Sequence, residues 1–202
     1  MQIDFLIWFC VSFQVWTKRG TNPPLKARRS QHCRKVMLTL FFDCRGPLRI
    51  EFLCDGGSIN AERYVETLKA LKTDIHNKRR DCPNKPNLLL HDNARPHTAA
   101  RTKVALEKLR FDLLSQPPYS PDLAPSDFAL FPRLKKLLRG RIFDNRDRLE
   151  QEVRRTLLFD LPREDFAKAI DDTLCRWQKC VKIKGDYVEK VKIDCESENE
   201  SE

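Results

Sequence analysis

The stretch from Leu88 to Leu130 restricts the fold more than any other part of this 202-residue chain. Leu88, Leu89 and Leu90 form an apolar run closed by His91-Asp92-Asn93. A run that short, bounded by turn formers, predicts a strand buried on both faces, as in parallel sheets. From Pro96 to Leu109 the apolar positions Ala99, Val104, Leu106 and Leu109 fall at near-helical spacing, with Pro96 suited to a first turn and Arg101, Lys103 and Lys108 facing out. Phe111 to Leu114 predicts a second strand, and a right-handed strand-helix-strand unit returns it parallel to the first. Its end therefore lies at the same sheet edge as Asp92.

The chain then enters Gln116 to Pro125, where four prolines in nine positions forbid a helix interior and a central strand. Ser126 is suited to cap a helix carrying Phe128, Leu130, Phe131, Leu134, Leu137 and Leu138, kinked near Pro132. Asp127 sits in its first turn. Thirty-four residues separate Asp92 from Asp127, yet the topology brings both to one edge. Two carboxylates beside a basic surface suit a pair of divalent ions, which activate an attacking oxygen and stabilise a leaving one in phosphodiester chemistry. Each acid also has an ordinary explanation, Asp127 through the helix dipole and Asp92 as a turn residue. Spacing alone leaves both readings open.

The segments His91-Asp92-Asn93-Ala94-Arg95-Pro96-His97-Thr98-Ala99 and Pro118-Tyr119-Ser120-Pro121-Asp122-Leu123-Ala124-Pro125-Ser126-Asp127-Phe128 resemble the mariner family of DNA transposases. The likeness runs from about Trp16 to Tyr187 and includes Val36 to Leu53, Tyr64 to Leu71 and Arg176 to Cys180. It implies an α/β, RNase H-like mixed sheet flanked by helices. It also implies a site of three aspartates holding Mg²⁺ or Mn²⁺, in which Asp92 matches the second ligand and Asp127 the third. The activity implied is cleavage and transfer of DNA strands at transposon ends, in the nucleus, by a homodimer or by pairing with a full-length transposase. His91 and His97 are assigned to orienting or packing roles around the site.

The first aspartate is where the chain departs from the family. Its pattern places that residue within Gly-Asp-Glu on a first strand, and no such tripeptide occurs here. Asp4 is the one acid before Trp16, and it lies nearer Trp16 than the pattern would place it. Either Asp4 is a displaced ligand, or the true first strand has been lost by truncation and replaced. The second explanation is preferred, which makes impaired catalysis the expectation. The alternative function is a non-catalytic, transposase-derived DNA-binding or dimer-partner protein. Asp43 matches a turn position of the family and receives a structural role.

The divisions expected are an atypical apolar N-terminus over 1–15, a catalytic domain over 16–190 and a disordered acidic tail over 191–202. The apolar run from Met1 to Phe13 is too short to span a membrane, starts without the basic residues of a signal peptide and reads as a buried strand. No membrane partner is expected. Net charge of +9 favours a polyanionic partner. Between Trp16 and Lys35 the chain is basic and free of acids, and Lys18, Arg19, Arg28, Arg29 and Arg34 are candidates for phosphate contact. The eight cysteines include no C-x-x-C pair and read as reduced thiols, with Cys44 and Cys54 as small hydrophobes. A hairpin over 36–53, a helix over 60–80 and two helices near 146–159 and 163–180 complete the reading, the last with Phe166, Ile170, Leu174 and Trp177 inward.

Overall fold

The computed structural model describes residues 36–53, 57–80, 87–141, 143 and 146–188 in full, and residues 2–9 by backbone alone. Five strands form one sheet in the order β3-β2-β1-β4-β5: β1 (Gln2–Phe9), β2 (Val36–Asp43), β3 (Gly46–Phe52), β4 (Asn87–His91) and β5 (Phe111–Ser115). β2 pairs antiparallel with β1 and β3, while β4 lies parallel to β1 and to β5. The central strand is therefore present. As the apolar run predicts, the stretch around Asp4 is a strand, pairing with β2 over seven residues and with β4 over two.

Alternation along the strands divides the core into two layers. Val36, Leu38, Leu40 and Phe42 of β2, with Leu90 of β4, face one cluster; Phe41 and Leu89 face the other. Both faces of β4 are thus covered, which is why its sequence is continuously apolar. One layer is α1 (Ala61–Lys78), α2 (Arg95–Thr98) and α3 (Ala100–Leu109). The other is α4 (Phe131–Leu138), α5 (Arg146–Arg155) and α6 (Arg163–Lys182). Asn60 caps α1 by accepting from Arg63 N at 2.9 Å.

The β2–β3 turn needs Gly46, whose φ of +117° lies in the glycine region. Asp43 accepts from Arg45 N at 2.8 Å and takes a two-pronged pair from Arg79 at 2.6 and 2.7 Å. That is the structural role expected of it. Cys44, expected as a small hydrophobe, is instead exposed in this turn.

Three helical readings are corrected. The crossover helix breaks at Ala99, which is extended at ψ 143°, and its inner positions are Thr102 and Leu106. Val104 is 49% exposed, because the Thr102 hydroxyl turns inward and donates to Pro96 O at 2.6 Å. Leu174 is 51% exposed, the inner stripe of α6 being Phe166, Ala169, Ile170 and Thr173. Ser126 is not a side-chain cap. No described helix is long and apolar enough to cross a membrane. The candidate phosphate contacts Lys18, Arg19, Arg28, Arg29 and Arg34, together with Cys54 and the tail over 191–202, lie outside the described residues.

Candidate active site

Asp92 is the first residue beyond β4, at the sheet edge where the apolar run gives way to a turn. Its Oδ1 accepts from Ala94 N at 3.0 Å and from His97 Nδ1 at 2.7 Å. A carboxylate only accepts, so Nδ1 of His97 carries the proton. The His97 hydrogen bond is the main reason the Asp92 carboxyl sits below its ordinary range; partial burial opposes it, and the Ala94 amide and the nearby imidazoles add to the lowering. The Asp92 side chain remains 55% exposed while that of His97 is 1% exposed. Asp92 is thus an ionised group with one oxygen tethered and the rest open to solvent.

A buried aromatic stack supports this tether. His91 and His97 stack at 4.9 Å with an interplanar angle of 8°, and the Tyr64 ring lies 4.2 Å from that of His97. The Tyr64 hydroxyl and His91 Nδ1 are 2.9 Å apart. Burial, chiefly, holds His91 down to about 4, with His97 lowering it further and Asp92 opposing. His91 is neutral at neutral pH. Both histidines therefore act in orientation and packing.

Asp127 arrives from the other layer. It lies on a π-helical turn, Ser126–Leu130, that runs directly into α4. Partial desolvation raises its carboxyl, the Ser126 hydroxyl, donating to Oδ2 at 3.2 Å, lowers it, the negative charge of Asp92 raises it and Lys135 lowers it. The last two effects place Asp92 and Lys135 within electrostatic reach. The charge of Asp92 is thus felt at Asp127, although thirty-four residues lie between them in sequence.

The proline-rich connection is held by bonds that bridge distant segments. Asn93 Nδ2 donates to Gln116 O at 2.8 Å, and Gln116 Nε2 donates to Ser120 O at 3.1 Å. From α6, Arg176 Nη1 donates to Asp122 O at 2.9 Å and Trp177 Nε1 to Leu123 O at 3.3 Å. The Arg176 guanidinium also lies 4.0 Å from the Phe128 ring centroid, one residue from Asp127. The buried Asp122 carboxylate accepts from Val188 N at 3.0 Å. Sequence reasoning missed Asn93, Gln116, Asp122 and Arg176 as supports. The one local signal was an acid between prolines, Pro121-Asp122-Leu123-Ala124-Pro125, within an otherwise apolar turn.

Asp4 lies on β1 opposite Phe41, one residue beyond the Ile3–Leu90 pair. Its backbone is therefore level with the end of β4, one strand away from the turn that carries Asp92. Among the described residues no group of three His, Cys, Asp or Glu is assembled for a metal ion, and Cys175 and Cys180 form no such cluster. Of the α4 cations, Arg133 pairs with Asp165 at 2.6 Å.

The sequence profile of the DDE superfamily endonucleases matches residues 11–150. The chain is 33% identical over 173 residues to the human histone-lysine N-methyltransferase SETMAR, covering 85% of this chain and 25% of that protein. It is 32% identical over 166 residues to the mariner Mos1 transposase of Drosophila mauritiana, covering 81% and 48%. The chain thus spans about a quarter and about half of these relatives. Among solved structures, the Mos1 catalytic domain with raltegravir and Mn superposes with a TM-score of 0.77 at 28% identity, covering 92% of this chain and 83% of that one. The Mos1 paired-end complex with the left transposon end gives 0.80 at 29%, covering 93% and 56%.

Proposed function

The chain belongs to the DDE superfamily endonuclease family, in its mariner transposase branch, and on that premise we propose that it is a metal-dependent domain for cleaving and transferring DNA strands. The observation that supports this reading is the parallel β4–β5 pair, tied at its end by Asn93 and Gln116, from which the Asp92 turn and the loop toward Asp127 depart, with the charge of Asp92 raising the Asp127 carboxyl. Like charges held together are relieved by a cation, and carboxylate oxygens suit hard ions. Asp92 and Asp127 would hold Mg²⁺ or Mn²⁺. Bound there, such ions activate the attacking oxygen of a phosphodiester substitution and stabilise the leaving one.

The protein's own share of the work is orientation. His97 and the Ala94 amide aim Asp92, Ser126 steadies Asp127, and Lys135 offsets the charge of Asp127. Asp4 is proposed as the third carboxylate, supported by its strand register beside β4. Phe5 stands where the family pattern has a glutamate, so weak activity is expected. Lys18, Arg19, Arg28, Arg29 and Arg34 are proposed to contact the phosphates of transposon-end DNA in the nucleus, with the working unit a homodimer or a pair with a full-length transposase.

The test is a nicking assay on a labelled transposon-end duplex with Mn²⁺. Weak cleavage abolished by Asp92→Asn, Asp127→Asn and Asp4→Ala is the expected result. Cleavage that survives Asp4→Ala removes Asp4 from the site. DNA binding with no cleavage under any metal would overturn the enzymatic reading in favour of a non-catalytic DNA-binding or partner protein.

A further inference from the structure

The turn that delivers Asp127 departs from α-helical geometry. Asp127 N and Phe128 N donate to Ala124 O at 2.9 and 3.1 Å, but Phe131 N then reaches back five residues to Ser126 O. Beyond this point α4 presents Phe131, Leu134 and Leu138 to the core at 6%, 1% and 4% exposure. Continued backwards at α-helical spacing, the stripe formed by residues 138, 134 and 131 arrives at residue 127. An unbroken helix would therefore point the Asp127 carboxylate into the apolar layer between the sheet and α6. In the structure Ser126 fills that place at 0% exposure, and Asp127 is exposed. The one extra residue in the turn rotates what precedes it by about 100°, one residue's share of a helical turn.

Pro132 supplies the cause. It has no N–H to give to Phe128 O, and in an unbroken helix its ring would collide with that carbonyl. A widened turn takes the carbonyl out of line. Turns of this kind are rare within helices and recur at functional sites.

We propose that Pro132 is a positioning residue, excluding the α-helical register at Phe128 and so holding the π-turn that carries Asp127 off the buried stripe to the sheet edge beside Asp92. The proposal rests on the reading of Asp127 as a metal ligand. Four forms of the full chain separate the two: the parent, Pro132→Ala, Pro132→Ala with Ala129 deleted, and Asp127→Asn. Mn²⁺ is titrated into each by calorimetry, with thermal unfolding recorded alongside. Pro132→Ala is expected to bind Mn²⁺ about tenfold more weakly or worse while still fully folded at the titration temperature. Deleting Ala129 shortens the turn to α-helical length while keeping Ser126 beneath Phe131, so it should restore most of the affinity. Parent-like binding by Pro132→Ala while Asp127→Asn loses the metal overturns the role of Pro132, as does a loss that the deletion fails to rescue. Equal binding by the parent and Asp127→Asn overturns the metal-ligand reading, and the proposal with it.

Discussion

Asp92 and His97 form a 2.7 Å hydrogen bond in which a nearly inaccessible ring holds one oxygen of a half-exposed carboxylate. The contact costs His97 little freedom, because it is already packed against Tyr64 and His91. Replacing His97 by Phe keeps the ring and removes the donor. Loss of such an outer partner weakens metal binding by about 10–100-fold, and calorimetric titration of Mn²⁺ into His97→Phe is expected to show a fall in that range.

The two acids of the site respond oppositely to neutralisation. Asp92 is lowered in the fold, chiefly by His97, so its ionised form stabilises the protein above the ordinary aspartate range and that contribution disappears as pH falls through its lowered value. Asp127 is raised, chiefly by desolvation, so its ionisation opposes folding, with the full penalty present above its raised value. In chelator at neutral pH, Asp92→Asn should lower Tm and Asp127→Asn should raise it, although both weaken Mn²⁺ binding. Thermal unfolding of the two variants in parallel checks the pair of signs.

Asp43 provides the contrast, an acid of the same sheet that serves only the fold. Its partner Arg79 makes two short bonds to it across α1 and β2, with both side chains at least four-fifths covered. Removing one member of such a pair strands the other and costs about 3 kcal/mol. Arg79→Ala should show that loss in denaturant unfolding while its Mn²⁺ affinity matches the parent's.

Arg176 joins α6 to the proline-rich loop through Asp122 O and the face of Phe128. Arg176→Ala removes both contacts and should destabilise the chain by about 1–3 kcal/mol. Cleavage should fall by more than the unfolded fraction explains, because the loop sets Asp127. Measuring nicking at a temperature where the variant is fully folded distinguishes the two effects.

Within the chain, what is legible follows the range of the physics. β4, β5, the hairpin and α1 declare themselves through apolar period, turn formers and the Asn60 cap, all of which act over a few residues. The motif runs around His91 to Ala99 and Pro118 to Phe128 point to the family, and the rule of parallel strand return is enough to bring the ends of β4 and β5 to one edge. Val104 and Leu174 escape the periodicity because Thr102 and Thr173 satisfy their hydroxyls on local carbonyls and so tolerate burial in their stead. The strand around Asp4 lacks the family tripeptide, yet pairing with β2 and β4 holds it in the sheet.

Sequence alone therefore determined the order of elements, the two acids and the family, since periodicity, turn chemistry and motif spacing are carried by neighbouring residues. Tertiary structure decided how the acids point. Pro132 excludes the four-residue turn before α4, and the packed core receives Ser126 in the place that turn would have given Asp127. The set of the proline-rich loop depends on bonds from α6 spanning more than fifty residues. Burial and long-range hydrogen bonding exist only once the layers have packed.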